Sequence, residues 1–357
     1  MLTTLAVMLV LGPMVPVALG AAVGDPLQRP ALPSERAASS MMSAVTRAGD
    51  RLVAVGERGL VLVSTDSGKQ WTQAKVPVSV LLTGVRFATP LRGWAVGHSG
   101  VVLTTSDGGM TWSLQLDGNR VADVMRAAAE KAKGDAAQLE RLRVEADRLV
   151  REGADKPFLE LDVESETALT VIGAFGLALH SDDGGASWQP WGDRVPNAGG
   201  SHLYSMGHKG NTIVIAGEQG VVCRSEDRGQ SFVAKAIPSK TSNFGLVVIS
   251  EKHWMVYGLR GKAFVSENGG DRWQTVNIDE SASLTSGLRR DDGSIVLASQ
   301  AGTLFVSTDG GHVFSKLAVP EPIPIIGIAE APDGSLVAAG VRGVARIAPT
   351  TNDSKGK

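Results

Sequence analysis

One pattern recurs at a nearly fixed step along this chain, and it leaves few folds open. A short β-rich run leads into Gly-x-x-Gly, a second β-rich run follows, and the unit closes on Ser/Thr-x-Asp-x-Gly-x-x-Trp/Phe. The Gly-x-x-Gly turns start at Gly56, Gly97, Gly173, Gly217, Gly258, Ser299 (a serine standing for the first glycine) and Gly340. Their steps are 41, 76, 44, 41, 41 and 41 residues. A period of about forty residues with room for four short strands is the mark of propeller blades. The sequence therefore predicts an all-β, seven-bladed β-propeller of four-stranded blades. Its 43 glycines against 5% aromatic residues suit many tight turns between short strands.

The closing motif occurs six times, from Ser64-Thr-Asp66-Ser-Gly68-Lys-Gln-Trp71 to Ser307-Thr-Asp309-Gly-Gly311-His-Val-Phe314, and is the Asp-box, or BNR, signature. Turn chemistry accounts for each residue type. The acidic position (Asp66, Asp107, Asp183, Asp227, Asn268, Asp309) and the preceding Ser/Thr can accept backbone N–H groups, and Gly supplies a positive φ. The aromatic (Trp71, Trp112, Trp188, Phe232, Trp273, Phe314) is expected to insert between blades. One acid per blade around a ring is a poor catalytic site, and Asn268 replaces the acid in blade five as only a turn-former can. Trp94 and Trp254 fall in second strands.

The clearest blade reads as strands near 82–88, 93–97, 101–105 and 111–116, labelled A to D from the axis outwards. The seventh copy has A (325–329), B (336–340) and C (344–347) but no box and no D. Leu27 to Pro33 resembles the D segment Phe232 to Pro238, so the N-terminal stretch is expected to supply strand D of blade seven and close the ring.

Between blades two and three, residues 119–155 break the rhythm. They contain no aromatic residue, and Val121, Met125, Ala128 and Ala132, then Leu139, Leu142, Ala146 and Leu149, repeat at three-four spacing on either side of Gly134-Asp135. That spacing predicts an α-helical hairpin, with Arg141–Glu145 and Arg148–Glu152 as candidate i,i+4 pairs. The insertion is a D–A connection. In an up-and-down blade these emerge on the same face as the B–C turns, which are the Gly-x-x-Gly turns, and opposite the Asp-boxes. The residue before the second glycine of those turns is Arg58, Ser99, Phe175, Gln219, Arg260, Ala301 and Arg342 in blades one to seven. Arg58, Arg260 and Arg342, with His98 and Gln219, are the candidate partner-binding residues. Exposed turn charges are also common without any partner.

The remaining features set the class. Residues 2–20 are almost wholly apolar and run into small residues, which predicts a secretory signal over 1–22 and a periplasmic or secreted protein. Residues 349–357 read as a disordered tail. With 35 basic and 37 acidic residues, nothing indicates nucleic-acid binding. The single Cys223 lies in an apolar run and reads as a buried thiol. No motif calls for a metal or a cofactor, and a monomer is expected.

The run Gly93-Trp94-Ala-Val-Gly97 followed by Asp107-Gly-Gly-Met-Thr-Trp112 resembles the photosystem II stability/assembly factor family. The resemblance implies a non-enzymatic propeller that holds an unassembled membrane subunit. Relatives in non-photosynthetic bacteria are associated with RND-type exporters, so it also implies a membrane-protein partner. The alternatives are a sialidase-like glycoside hydrolase and a carbohydrate-binding propeller. Sialidase chemistry needs a Tyr nucleophile assisted by Glu, an arginine triad and an Asp acid. The only tyrosines are Tyr204, in a first strand, and Tyr257, beside a turn glycine.

Overall fold

A computed structural model describes residues 24–132, 136–319 and 322–347. The expected signal (1–22), tail (349–357) and Gly134-Asp135 divide lie outside them. Seven antiparallel sheets follow one another along the chain, beginning at Met42, Leu82, Phe158, Leu203, Asn243, Leu284 and Ile325. Six have four strands in simple A-B-C-D order and the seventh has three. Neighbouring A strands pack against each other all the way round, including blade one against blade seven, so the ring is closed.

Burial follows from place in the blade. Strand B is covered on both sides by adjacent blades, so it is apolar throughout rather than alternating. Leu52–Val55, Trp94–Val96, Ile213–Ala216 and Leu336–Ala339 are all buried. Strand D is short and exposed, as in Thr72–Gln73 and Val233–Ala234, which leaves little edge for pairing with another chain.

The Gly-x-x-Gly turns are tight for steric reasons. A Cβ on Gly56 would sit 2.1 Å from the Met41 carbonyl, and one on Gly258 would sit 2.2 Å from that of Ser242. The second glycine takes a left-handed φ, +72° at Gly59, where a Cβ would lie 2.1 Å from the Val78 carbonyl. Blade seven departs from this form: Gly340 pairs directly with Gly343, leaving Val341-Arg342 as a two-residue hairpin turn.

The expected closing strand is corrected. Leu27 and Ala31 pack on the core of blades one and two. The Ala31 amide donates to the Val76 carbonyl at 3.0 Å and the Ser79 amide donates to that of Pro26 at 2.9 Å. Gln73 holds the segment further, donating to the Leu32 carbonyl and accepting from the Ser34 amide. Residues 26–34 therefore run along the outer edge of blade one. Blade seven keeps three strands among the described residues. Its join to blade one is made by side chains instead: Leu52, Leu62 and Trp71 pack with Ala329, Val337 and Ala339. Arg346 also donates to the Ser67 carbonyl. The likeness to Phe232–Pro238 was one of apolar pattern, and an apolar outer segment satisfies that pattern equally well on blade one.

The insertion is a hairpin of α1 (Gly118–Lys131) and α2 (Ala136–Glu152). Asp117 caps α1, accepting from the amides of Asn119 and Arg120. Val121, Ala122, Met125, Ala129, Ala146 and Leu149 are buried. All but Ala129 join a core cluster with Trp94, Phe158 and Leu161, so the hairpin extends the core of blades two and three. The buried stripe of α1 is thus rotated from the expected one: Ala122 and Ala129 are buried, while Ala128 and Ala132 are only half-buried. Arg148 pairs with Glu152 at 3.3 Å and with Glu145 at 2.6 Å. The side chain of Arg141 lies outside the described residues.

Candidate functional site

The Asp-boxes face inward to their own turns. In blade four, Ser225 Oγ donates to Asp227 Oδ1 at 2.7 Å and accepts from the Gly229 amide at 2.8 Å, while Asp227 accepts from the Ser231 amide and hydroxyl. Those bonds hold the Asp227 carboxyl down at about 2. Asp183 is likewise lowered to about 2 by Ser187. Asp66, Asp107 and Asp309 likewise accept from the preceding Ser/Thr hydroxyl and from the amide four residues on, and Asp107 also accepts from the Thr111 hydroxyl. Asn268 reproduces it with a neutral amide, accepting from Ser266 Oγ and from the Arg272 amide. Trp71, Trp112, Phe232, Trp273 and Phe314 each pack with residues of the preceding blade, and Trp188 packs against blade two.

The opposite face is built differently. The hairpin lies there beside the Gly-x-x-Gly turns: α1 touches the turn of blade two, and Arg148 and Lys156 stack over the ring of Phe175 in blade three at 5.5 and 5.4 Å. In five blades the residue before the second glycine is itself left-handed without being glycine: Arg58 (φ 53°), Ser99 (59°), Phe175 (56°), Gln219 (54°) and Arg260 (58°). A side chain there costs about 1 kcal/mol of backbone strain or more, and such strain tends to gather at functional positions. The corresponding position of the Asp-box turn is glycine in four of the six boxes, with Ser67 and Arg228 the exceptions. Arg58, Gln219, Arg260, Arg342 and His98 are exposed. Among the described residues, none of the three guanidinium groups has a carboxylate within 4.0 Å. Arg342 shares the face but not the left-handed turn position.

A second feature of this face could not be read from the sequence. In all seven blades the A–B register slips by one residue at the second position of strand A, bulging out Ser43, Thr83, Leu159, Tyr204, Phe244, Thr285 and Ile326. Bulges re-aim side chains, and these seven ring the mouth of the central channel, a cavity of about 490 Å³. Thr83 and Thr285 spend their hydroxyls on the next blade, donating to the Phe158 and Ile325 carbonyls at 2.7 Å. The aromatic members behave otherwise. Tyr204 packs edge-on to Phe244 (5.5 Å between centroids) and lies 6.1 Å from His202, which packs edge-on to Phe175 at 4.8 Å. A track of rings thus runs from the hairpin, across blades three, four and five, to the channel mouth. Phe175 is 51% exposed at its outer end.

Deeper in, charged groups are paired around the ring. Arg86 meets Glu160 at 3.1 Å, His208 meets Asp162 at 2.6 Å and Arg290 meets Glu330 at 3.0 Å, while the exposed Asp291 meets Arg47 at 2.7 Å. Burial pushes the Glu160 carboxyl up, with Arg86 opposing it. The hydrogen bond to Asp162 raises His208. Burial raises both Tyr204 and Tyr257 above the ordinary phenol value, away from the phenolate a nucleophile needs. Cys223 is buried, its thiol pushed up to about 12.

Comparisons with known proteins fit this geometry. The family described as photosynthesis system II assembly factor YCF48 matches residues 63–128 and 140–318, the gap falling around the tip of the hairpin. A photosystem II assembly lipoprotein Ycf48 from Synechococcus sp. (strain CC9902) is 24% identical over 134 residues, 37% of this chain. The match spans 40% of that relative's length. Among solved structures, YCF48 bound to D1 peptide has a TM-score of 0.63 at 17% identity, covering 88% of this chain and 94% of that one. A GH74 xyloglucanase from Xanthomonas campestris has a TM-score of 0.60 at 14% identity, covering 86% of this chain but only 52% of the enzyme. At such identities these two likenesses speak to the fold alone. The family match extends over more than half of the sequence, and the chain therefore belongs to the photosynthesis system II assembly factor YCF48 family.

Proposed function

We propose that this protein is a non-enzymatic binding and assembly factor that holds a segment of a partner protein on its Gly-x-x-Gly face. The observation that carries this reading is the concentration of unspent chemistry there. The ring track from Phe175 to Phe244 offers apolar and stacking contact, and Arg58, Arg260 and Arg342, in blades one, five and seven of the same face, offer guanidinium groups with no carboxylate partner among the described residues. On the Asp-box face, the box side chains bond to their own turns. A long insertion in an otherwise regular ring is more often functional than idle, and this one walls the track. A structural neighbour of the same family takes a peptide, which supports a peptide-like ligand here. The apolar stretch at residues 1–22 supports a periplasmic setting, and with it an exported segment of a membrane protein or an RND-type exporter as the partner, held by a monomer.

The triple change Arg58→Ala, Arg260→Ala, Arg342→Ala is expected to leave the fold intact and weaken capture of the native partner about tenfold. That is three exposed contacts of about 0.5 kcal/mol each. The loss should shrink as salt rises, because screening already weakens the wild-type contacts. Phe175→Ala with Phe244→Ala should weaken capture with little salt dependence. Lys69→Ala with Gln70→Ala, on the Asp-box face, should change nothing. Equal capture by all of these variants would show that the face is assigned wrongly.

The non-enzymatic reading rests on the pairing of the channel carboxylates and the raised phenols. Purified protein is expected to leave sialosides, aryl β-glycosides and xyloglucan unchanged. Turnover that disappears in Glu160→Gln would overturn it.

A further inference from the structure

We infer that His253, Glu267 and His312 form a binding site for a divalent transition metal of the zinc class, bridging blades five and six on the Asp-box face. His253 stands between strands A and B of blade five, Glu267 in the box turn of the same blade, and His312 in the box turn of blade six. One ligand atom from each lies within 4.8 Å of the others. Zinc bound at about 2.0–2.1 Å to imidazole needs donors about 3.4 Å apart in a tetrahedron, so a rotation of the exposed Glu267 side chain and a small ring shift close the site.

Two further observations point to a ligand. His253 Nε2 is buried without a hydrogen-bond partner among the described residues. A buried imidazole nitrogen left unpaired is costly unless something is there to meet it. The orientation of His312 is also that of a metal ligand. Its Nε2 lies 3.2 Å from Glu267 Oε1, while Nδ1 faces Gln274 Oε1 at 3.3 Å. The tautomer that donates Nδ1–H to that amide oxygen is the one in which Nε2 coordinates, and a cation between Nε2 and the Glu267 carboxylate satisfies both lone-pair donors. Two imidazoles and a carboxylate select zinc, nickel, copper or cobalt over magnesium or calcium, which prefer all-oxygen sites. A cavity of about 320 Å³ opens beside Glu267 and His312. The metal would tie two blades together at a point the backbone does not bridge, on the face away from the proposed partner.

The test is titration of the metal-free full chain with Zn2+, followed by melting, and with Co2+, followed by visible absorption. The expected result is one equivalent bound, a melting temperature raised by several degrees at roughly a hundredfold excess over the dissociation constant, and cobalt ligand-field bands. Mg2+ and Ca2+ should produce neither the melting shift nor competition with zinc. Glu267→Gln, an exposed change that leaves the fold undisturbed, should weaken zinc binding at least tenfold, and His312→Ala should abolish it. Because each variant is compared with itself with and without metal, a lower starting stability does not obscure the result. No binding, binding undiminished in both variants, or an equal response to Ca2+ would each overturn the proposal.

Discussion

Replacing Trp94 by Ala is expected to lower the free energy of unfolding by about 3–5 kcal/mol, the range for a fully buried tryptophan. Trp94 is completely buried in the cluster that joins blades two and three and the hairpin. Its indole N–H donates to Gln115 Oε1 at 3.0 Å and lies 3.3 Å from the Gly184 carbonyl in blade three's box. Truncation opens a cavity where three elements meet and removes a bond between blades. Trp94→Phe keeps most of the apolar volume and should cost clearly less, while Val233→Ala, 58% exposed on an outer strand, should stay within about 0.5 kcal/mol. Urea unfolding with an unchanged m-value reads all three. A Trp94→Ala loss no larger than that of Val233→Ala would mean that blades two and three do not share this core.

Arg86→Ala is expected to cost about 2 kcal/mol at neutral pH. Removing one partner of a fully buried pair costs more, about 3–5 kcal/mol. Here the Arg86 side chain is 40% exposed at the channel, so solvent already screens part of the interaction. Burial raises the Glu160 carboxyl, and Arg86 pulls it back down. Without Arg86 it rises further. A carboxyl whose folded pKa lies above its unfolded value favours the fold below the unfolded pKa, and that contribution is lost as pH rises through the folded one. The deficit of Arg86→Ala should therefore be largest near neutrality and shrink as pH falls toward about 4, the unfolded glutamate value. Glu160→Gln added to Arg86→Ala should remove that pH dependence and recover much of the loss. A deficit that is flat with pH would place its origin in lost packing instead.

The blades and box turns were legible because the period and the turn chemistry are local: Ser-x-Asp-x-Gly carries its own hydrogen-bond partners within eight residues. The hairpin was legible from its three-four spacing, although its buried stripe in α1 was off because packing on Trp94 and Phe158 sets its rotation. The ring closure was misread. Leu27–Pro33 has the apolar pattern of an outer strand, and pattern alone does not say which blade receives it. The turn arginines were found through repeat position. Their left-handed backbone was not, since nothing in Gly-Glu-Arg-Gly distinguishes that turn from the hairpin at Gly-Val-Arg-Gly. The ring track and the cluster of His253, Glu267 and His312 were missed because their members come from different blades at separations with no motif spacing. A recurrent bulge that re-aims Tyr204 and Phe244 leaves no mark on sequence periodicity.

Amide hydrogen exchange with and without the captured partner reads out whether the partner docks on the Gly-x-x-Gly face. Protection is expected in the turns around Arg58, Phe175, Gln219 and Arg260, in α2, and at the start of the A strands holding Tyr204 and Phe244. The box turns around Asp66, Asp227 and Asp309 should exchange as in the free protein. Protection confined to the box turns, with the Gly-x-x-Gly turns unchanged, would place the partner on the opposite face.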